Sequence, residues 1–90
     1  MSNIPVALIT GASKGIGHAT ALKLAAQGYS LALVSRNQPL LEQLAQQLIA
    51  QYPNQQFVVF PADLSQPMTH CAALVQQVVQ TFGRIDVLVN

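Results

Sequence analysis

Val6-Ala7-Leu8-Ile9-Thr10-Gly11-Ala12-Ser13-Lys14-Gly15-Ile16-Gly17 reads as three things in succession: a buried strand, a glycine-rich turn and the start of a helix. The strand is apolar and partly β-branched, as a strand covered on both faces must be. The glycines let the backbone take positive φ and come close to a ligand. A helix opening near Gly15 aims its unpaired N–H groups, and the positive end of its dipole, at whatever lies over the turn. A pyrophosphate is the natural occupant. The spacing is Gly-x-x-x-Gly-x-Gly, not the Gly-x-Gly-x-x-Gly of the common dinucleotide fingerprint. Close helix–strand packing alone would account for one glycine well and for three poorly.

Outward from that stretch, strands and helices alternate. Residues 5–10 are the first strand and 15–28 the first helix, with Ile16, Ala19, Leu22, Leu24 and Ala25 among its apolar positions and Gly28 ending it. Leu31-Ala32-Leu33-Val34-Ser35 is the second strand. Asn37 is placed to cap the next helix and Pro39 suits its first turn. That helix runs to about Tyr52 on a stripe of Leu40, Leu41, Leu44 and Leu48, and Pro53-Asn54 breaks it. Phe57-Val58-Val59-Phe60 is a third strand, a helix follows from about Pro67 to Phe82, and Asp86-Val87-Leu88-Val89-Asn90 starts a fourth strand. Continuous apolar strands joined by helices predict an α/β fold, a doubly wound parallel sheet of order 3-2-1-4. Two helices would then lie on one face and one on the other. The outer edge of the fourth strand would lack a partner, which invites association. Residues 1–90 are therefore expected to be the front part of a larger domain, cut short after the fourth strand.

Composition narrows the function classes. Of 90 residues, 51% are hydrophobic and 8% charged, with a net charge of +1. This balance gives no case for nucleic acid or an acidic membrane surface, and no basic run or aromatic platform is present. No apolar stretch approaches a membrane span, and the N-terminus lacks the basic region and apolar core of a signal sequence. Cys71 is the lone cysteine; it fits a reducing, cytoplasmic setting and reads as a packing residue. His18 and His70 stand apart without companion ligands, so no metal site is expected.

Four pieces, in order, resemble the N-terminal third of a short-chain dehydrogenase/reductase, of the kind related to 3-oxoacyl-carrier-protein reductases. They are Thr10-Gly11-Ala12-Ser13-Lys14-Gly15-Ile16-Gly17; Ser35-Arg36-Asn37; Ala62-Asp63-Leu64; and Gly83-Arg84-Ile85-Asp86-Val87-Leu88-Val89-Asn90. The resemblance covers essentially the whole chain and implies a partial Rossmann-type fold with a nicotinamide dinucleotide cofactor. It also implies a homo-oligomeric parent protein. By the family pattern Gly11, Gly15 and Gly17 shape the turn, while Ser13, Lys14 and Ile16 line the phosphate and ribose side. Asp63 would hydrogen-bond the adenine amino group with Leu64 beside it, and Asn90 would flank the adenosine ribose and help hold the central sheet. Ser65 can cap the third helix, which leaves Asp63 for the ligand. Asp86, near the start of a strand, reads as structural.

The residue chemistry takes the cofactor choice further. An enzyme selecting NAD usually places a carboxylate about twenty residues beyond the glycines, where it accepts from the ribose 2′-hydroxyl. At the end of the second strand this chain has Ser35-Arg36 and no acid. A guanidinium can stack on adenine and fork onto phosphate oxygens, and Lys14 adds a cation from the turn. NADP is therefore expected over NAD.

The resemblance also implies hydride transfer between nicotinamide and a carbonyl or alcohol carbon. In the family a tyrosine, a lysine four residues after it and a serine carry that chemistry, all well beyond position 90. Within the chain Tyr29 is followed four residues later by Leu33, and Tyr52 by Gln56, so neither forms the pair. No catalytic residue is assigned, and the isolated chain is expected to show no turnover. Three readings stay open. The chain is the cofactor half of an NADP-dependent carbonyl reductase, a self-contained dinucleotide-binding module without catalysis, or an inactive remnant that self-associates through its open sheet.

Overall fold

The computed structural model describes residues 4–12, 15–61 and 68–89. Four strands and three helices alternate: β1 (Val6–Thr10), α1 (Gly15–Ala26), β2 (Ser30–Ser35), α2 (Gln38–Gln51), β3 (Phe57–Pro61), α3 (Met68–Phe82) and β4 (Val87–Val89). The strands form one sheet of order β3-β2-β1-β4, parallel throughout, with Leu8 opposite Ala32 and Leu88 and Ala32 opposite Val58. The strand order and the alternation are those the sequence predicts, with element ends within two or three residues.

The side chains of each strand alternate between two cores. Ala7, Ile9, Leu31, Leu33 and Phe57 pack with Ala21 and Ala25 of α1 and Leu41, Leu44, Ala45 and Leu48 of α2. Leu8, Ala32 and Val34 pack on the opposite face with Leu74 and Val78 of α3. Both faces of β1 and β2 are thereby dry, which is why these strands carry no polar alternation. The stripe expected for α2 holds at Leu41, Leu44 and Leu48, whereas Leu40 is partly exposed. In α1 the buried side is the small one, Ala21 and Ala25, with Leu24 packed against the core. Ile16 and Leu22 are exposed, because small residues let α1 sit close to the sheet and leave the larger apolar ones outside the contact.

The helix ends follow from local chemistry. Gly28 donates to the Ala25 carbonyl and Tyr29 to the Leu24 carbonyl, both at 3.1 Å, a Schellman closure of α1. The Gln55 side chain, from the turn before β3, donates to the carbonyls of Ala25 at 3.0 Å and Tyr29 at 2.6 Å. At the start of α2 the Asn37 side chain accepts from the Leu40 N–H at 3.3 Å, the capping role its position predicts.

β4 is attached to β1 at its beginning by Asp86. Its Oδ2 accepts from the Val6 N–H at 2.8 Å, and its own N–H donates to the Val6 carbonyl at 2.8 Å. Arg84 forks onto the same carboxylate through Nε and Nη2, at 2.8 and 2.7 Å. The outer edge of β4 has no strand partner among the described residues, and Leu88 is 60% exposed there.

The Arg84 guanidinium, joined by the Val6 N–H, holds the Asp86 carboxyl below the usual carboxylate range. A carboxyl whose folded-state value is lowered adds stability that is complete above its unfolded value and disappears as pH falls through the folded one. The expected outcome in urea unfolding is that Asp86→Asn is less stable than the parent at pH 6, and that the gap narrows as pH drops below about 4. An equal gap at both pH values would show that the carboxylate charge contributes nothing.

Candidate functional site

The carboxyl ends of the four parallel strands lie at one end of the sheet, and β1 stands where the order reverses, with β2 and β3 on one side and β4 on the other. Ligands of open α/β sheets bind in the crevice outside such a reversal. The glycine stretch falls at this point, directly after Thr10.

Gly11 and Gly15 have φ of +63° and +66°, the left-handed region where a side chain is strained. A Cβ placed on either would meet no heavy atom within 4 Å. The space over the turn is therefore open, and the requirement for glycine at these two positions comes from backbone conformation. Gly17 is different. A Cβ there would run into the carbonyl oxygen of Gly11 and come within 2.8 Å of its carbon and 3.0 Å of the Thr10 oxygen. The third glycine thus lets the first turn of α1 rest on the backbone that leaves β1.

The turn is anchored on both sides. The buried Ala12 donates its N–H to the Val34 carbonyl of β2 at 3.1 Å. Thr10 Oγ1 donates to the Val89 carbonyl of β4 at 3.2 Å. Ile16, 85% exposed, stands at the open N-terminal end of α1 as an apolar surface beside the turn. Arg36 is exposed directly after β2, two residues past the carbonyl that holds Ala12. Beside it the Ser35 hydroxyl accepts from the Asn37 N–H at 3.2 Å. The first turn of α2 holds no acid; Glu42 lies one turn further on, accepting from Gln38 Nε2 at 3.0 Å.

Of the residues the sequence singles out, Gly11, Gly15, Ile16, Gly17 and Arg36 come to this one end of the sheet. Ser13, Lys14, Asp63, Leu64 and Asn90 lie outside the described residues. The Thr10 link to β4 was not anticipated; a hydroxyl residue closing a buried strand at a topological reversal is the signal that could have suggested it. Tyr29 and Tyr52 pack against the α1–α2 core, away from this end. A shallow groove of about 330 Å³ lies elsewhere, lined by Ile49, Gln55, Gln56, Phe57, Val58 and Thr81 at the start of β3. It contains no titratable group. No cluster of metal-ligating side chains occurs among the described residues, nor a helix long and apolar enough to cross a membrane.

The sequence pattern of the family described as short chain dehydrogenase matches residues 5–90. The chain belongs to the short chain dehydrogenase family. Among its relatives is the NADPH-dependent reductase BacG of Bacillus subtilis, 40% identical over 84 residues, an alignment covering 93% of this chain and 32% of that protein. Among solved structures, an alcohol dehydrogenase from the archaeon Thermococcus sibiricus, complexed with 5-hydroxy-NADP, superposes with a TM-score of 0.85 at 37% identity, over 96% of this chain and 36% of that one. A 3-ketoacyl-ACP reductase from Sinorhizobium meliloti superposes with a TM-score of 0.82 at 37% identity, over 93% and 32%. The chain thus spans about a third of the length of these proteins.

The contact beneath Gly17 yields a direct test. Gly17→Ala places a methyl against backbone atoms that no side-chain rotation can clear, so α1 must lift from the turn. Overpacking of this kind costs about 1–3 kcal/mol. Thermal unfolding should show a lower midpoint, whereas an unchanged midpoint would mean that the helix approaches less closely than described.

Proposed function

We propose that this chain is the cofactor-holding part of an NADP-dependent short-chain oxidoreductase whose complete form moves hydride between NADPH and a carbonyl or alcohol carbon. The observation that carries the proposal is the open glycine turn at the sheet reversal, with Arg36 exposed at the end of the neighbouring strand and no acid in the turn that follows. The NADPH dependence named for the Bacillus reductase and the NADP analogue in the archaeal enzyme support the same choice.

The open space over Gly11 and Gly15 fits a dinucleotide, because the pyrophosphate can approach the main chain with no side chain in between. In this reading the N–H groups at the start of α1 hold the pyrophosphate, where the helix dipole favours negative charge. Ser13, Lys14 and Ile16 line the phosphate and ribose side. Arg36 stacks on the adenine and forks onto the 2′-phosphate, with Lys14 supplying a second positive charge. Asp63 accepts from the adenine amino group beside Leu64, and Asn90 flanks the adenosine ribose. When bound, the nicotinamide gives or takes a hydride; the residues of this chain hold and orient the cofactor.

Arg36 is the discriminating residue to test. Hydrogen bonds to charged groups contribute about 1.5–3 kcal/mol, which is about ten- to a hundredfold in affinity. Fluorescence titration should show NADPH binding tighter than NADH by a factor in that range. Arg36→Ala should remove most of the difference, and Arg36→Asp should reverse it by repelling the 2′-phosphate. Equal binding of the two cofactors by the unaltered chain, or no binding up to millimolar NADPH, would overturn the proposal.

A further inference from the structure

A 2′-phosphate that meets Arg36 lies against the start of α2, and that helix end has no amide to offer it. From Asn37 to Leu41 every N–H is taken. The Asn37 N–H donates to the Ser35 hydroxyl at 3.2 Å. The Gln38 N–H donates to the Arg36 carbonyl at 3.2 Å and the Leu41 N–H to the Asn37 carbonyl at 3.1 Å. The Leu40 N–H goes to the Asn37 side chain at 3.3 Å, and Pro39 has no N–H to give. Attraction of a phosphate from this side therefore rests on the Arg36 side chain. It holds only while that guanidinium is unclaimed.

Charge is scarce enough in this chain to be traced. There are three carboxylate side chains. Asp86 holds Arg84 in the one ion pair among the described residues, and Asp63 lies outside them. Glu42 remains. It sits four residues after Gln38 on α2, about 6 Å further along the helix axis, and its Oε1 accepts from Gln38 Nε2 at 3.0 Å. Arg36, Gln38 and Glu42 are all exposed. A guanidinium on a long stem and an exposed glutamate one turn into the helix can meet. Such a pair would occupy the same N–H fork that a phosphate needs. We infer that Gln38 is a positioning residue for cofactor choice: by holding the Glu42 carboxylate along α2 it keeps Arg36 unpaired for the 2′-phosphate. The inference rests on the cofactor reading above. A glutamine suits the task because its amide donates to the carboxylate at the helical i, i+4 spacing and adds no charge of its own beside the phosphate.

The test titrates NADPH and NADH into the full chain and three variants at low ionic strength. Gln38→Ala releases Glu42. Gln38→Ala combined with Glu42→Gln removes the charge so released. Gln47→Ala makes the same exchange at an exposed position further along α2, away from the pair. In Gln38→Ala the NADPH dissociation constant should rise about two- to threefold, the scale of an exposed ion pair. The NADH constant should hold, because NADH has no 2′-phosphate. The rise should fade at about 0.5 M salt, where exposed charges are screened, and vanish in the double variant. An unchanged NADPH constant in Gln38→Ala would overturn the inference. So would a rise shared by NADH or by Gln47→Ala, or one that survives salt or the second substitution. The Arg36 Nε–H is followed by NMR in the same proteins without cofactor. Its exchange with solvent should slow in Gln38→Ala, as Arg36 pairs with Glu42, and return to the parent rate in the double variant. If the unaltered chain binds NADPH no tighter than NADH, the cofactor reading fails by itself. The exchange rate then decides alone: slowed exchange in Gln38→Ala upholds the hold of Gln38 on Glu42, and unmoved exchange overturns it.

Discussion

The contact between the first turn of α1 and the backbone leaving β1 is the constraint on which the site depends. A helix cannot begin so close to the strand that feeds it unless the residue facing the Gly11 carbonyl lacks a Cβ, and Gly17 is that residue. The positive φ values at Gly11 and Gly15 turn the chain sharply enough to bring α1 back over the sheet. The small buried side of α1, Ala21 and Ala25, keeps it near the sheet along its length. A larger residue at Gly17, Ala21 or Ala25 would lift the helix, and the N–H groups at its start would no longer face the crevice.

The sheet supplies the fixed frame against which that turn is held. β1 lies between β2 and β4, and the turn borrows one hydrogen bond from each: Ala12 from the Val34 carbonyl and Thr10 from the Val89 carbonyl. The two sides are held by different contacts. β2 is buried along nearly its whole length, so its carbonyl is placed by core packing. On the other side the Val89 carbonyl belongs to β4, which is tied to β1 at its start by Asp86.

Much of the fold was legible because several signals in the sequence agreed. Unbroken apolar strands, Gly28 after the first helix, and Asn37 with Pro39 before the second all pointed to the same alternation, and all are used as expected. The glycine turn was legible for the same reason: its three glycines have separate physical tasks, two conformational and one steric, and no single alternative accounts for all of them. The burial of α1 was less legible. The apolar positions of the helix do not say which of them is buried: Leu22 is exposed and the alanines face the sheet, because closeness of approach outweighs side-chain size when a helix sits over a glycine turn. The ties at Thr10 and Asp86 were hidden for another reason. Each joins residues about eighty positions apart, and a local pattern carries no information about which carbonyl or amide a hydroxyl or carboxylate will find across a sheet.

The location of these ties bears on how such a site tolerates change. A residue that touches the ligand can be exchanged with consequences confined to that contact. A residue that fixes strand register acts on everything the strand carries, because pairing in a sheet shifts in whole residues and not by fractions. Polar ties flank the pairing of β4 with β1, Asp86 with Val6 on one side and Thr10 with Val89 on the other. The turn meets that pairing through one hydroxyl.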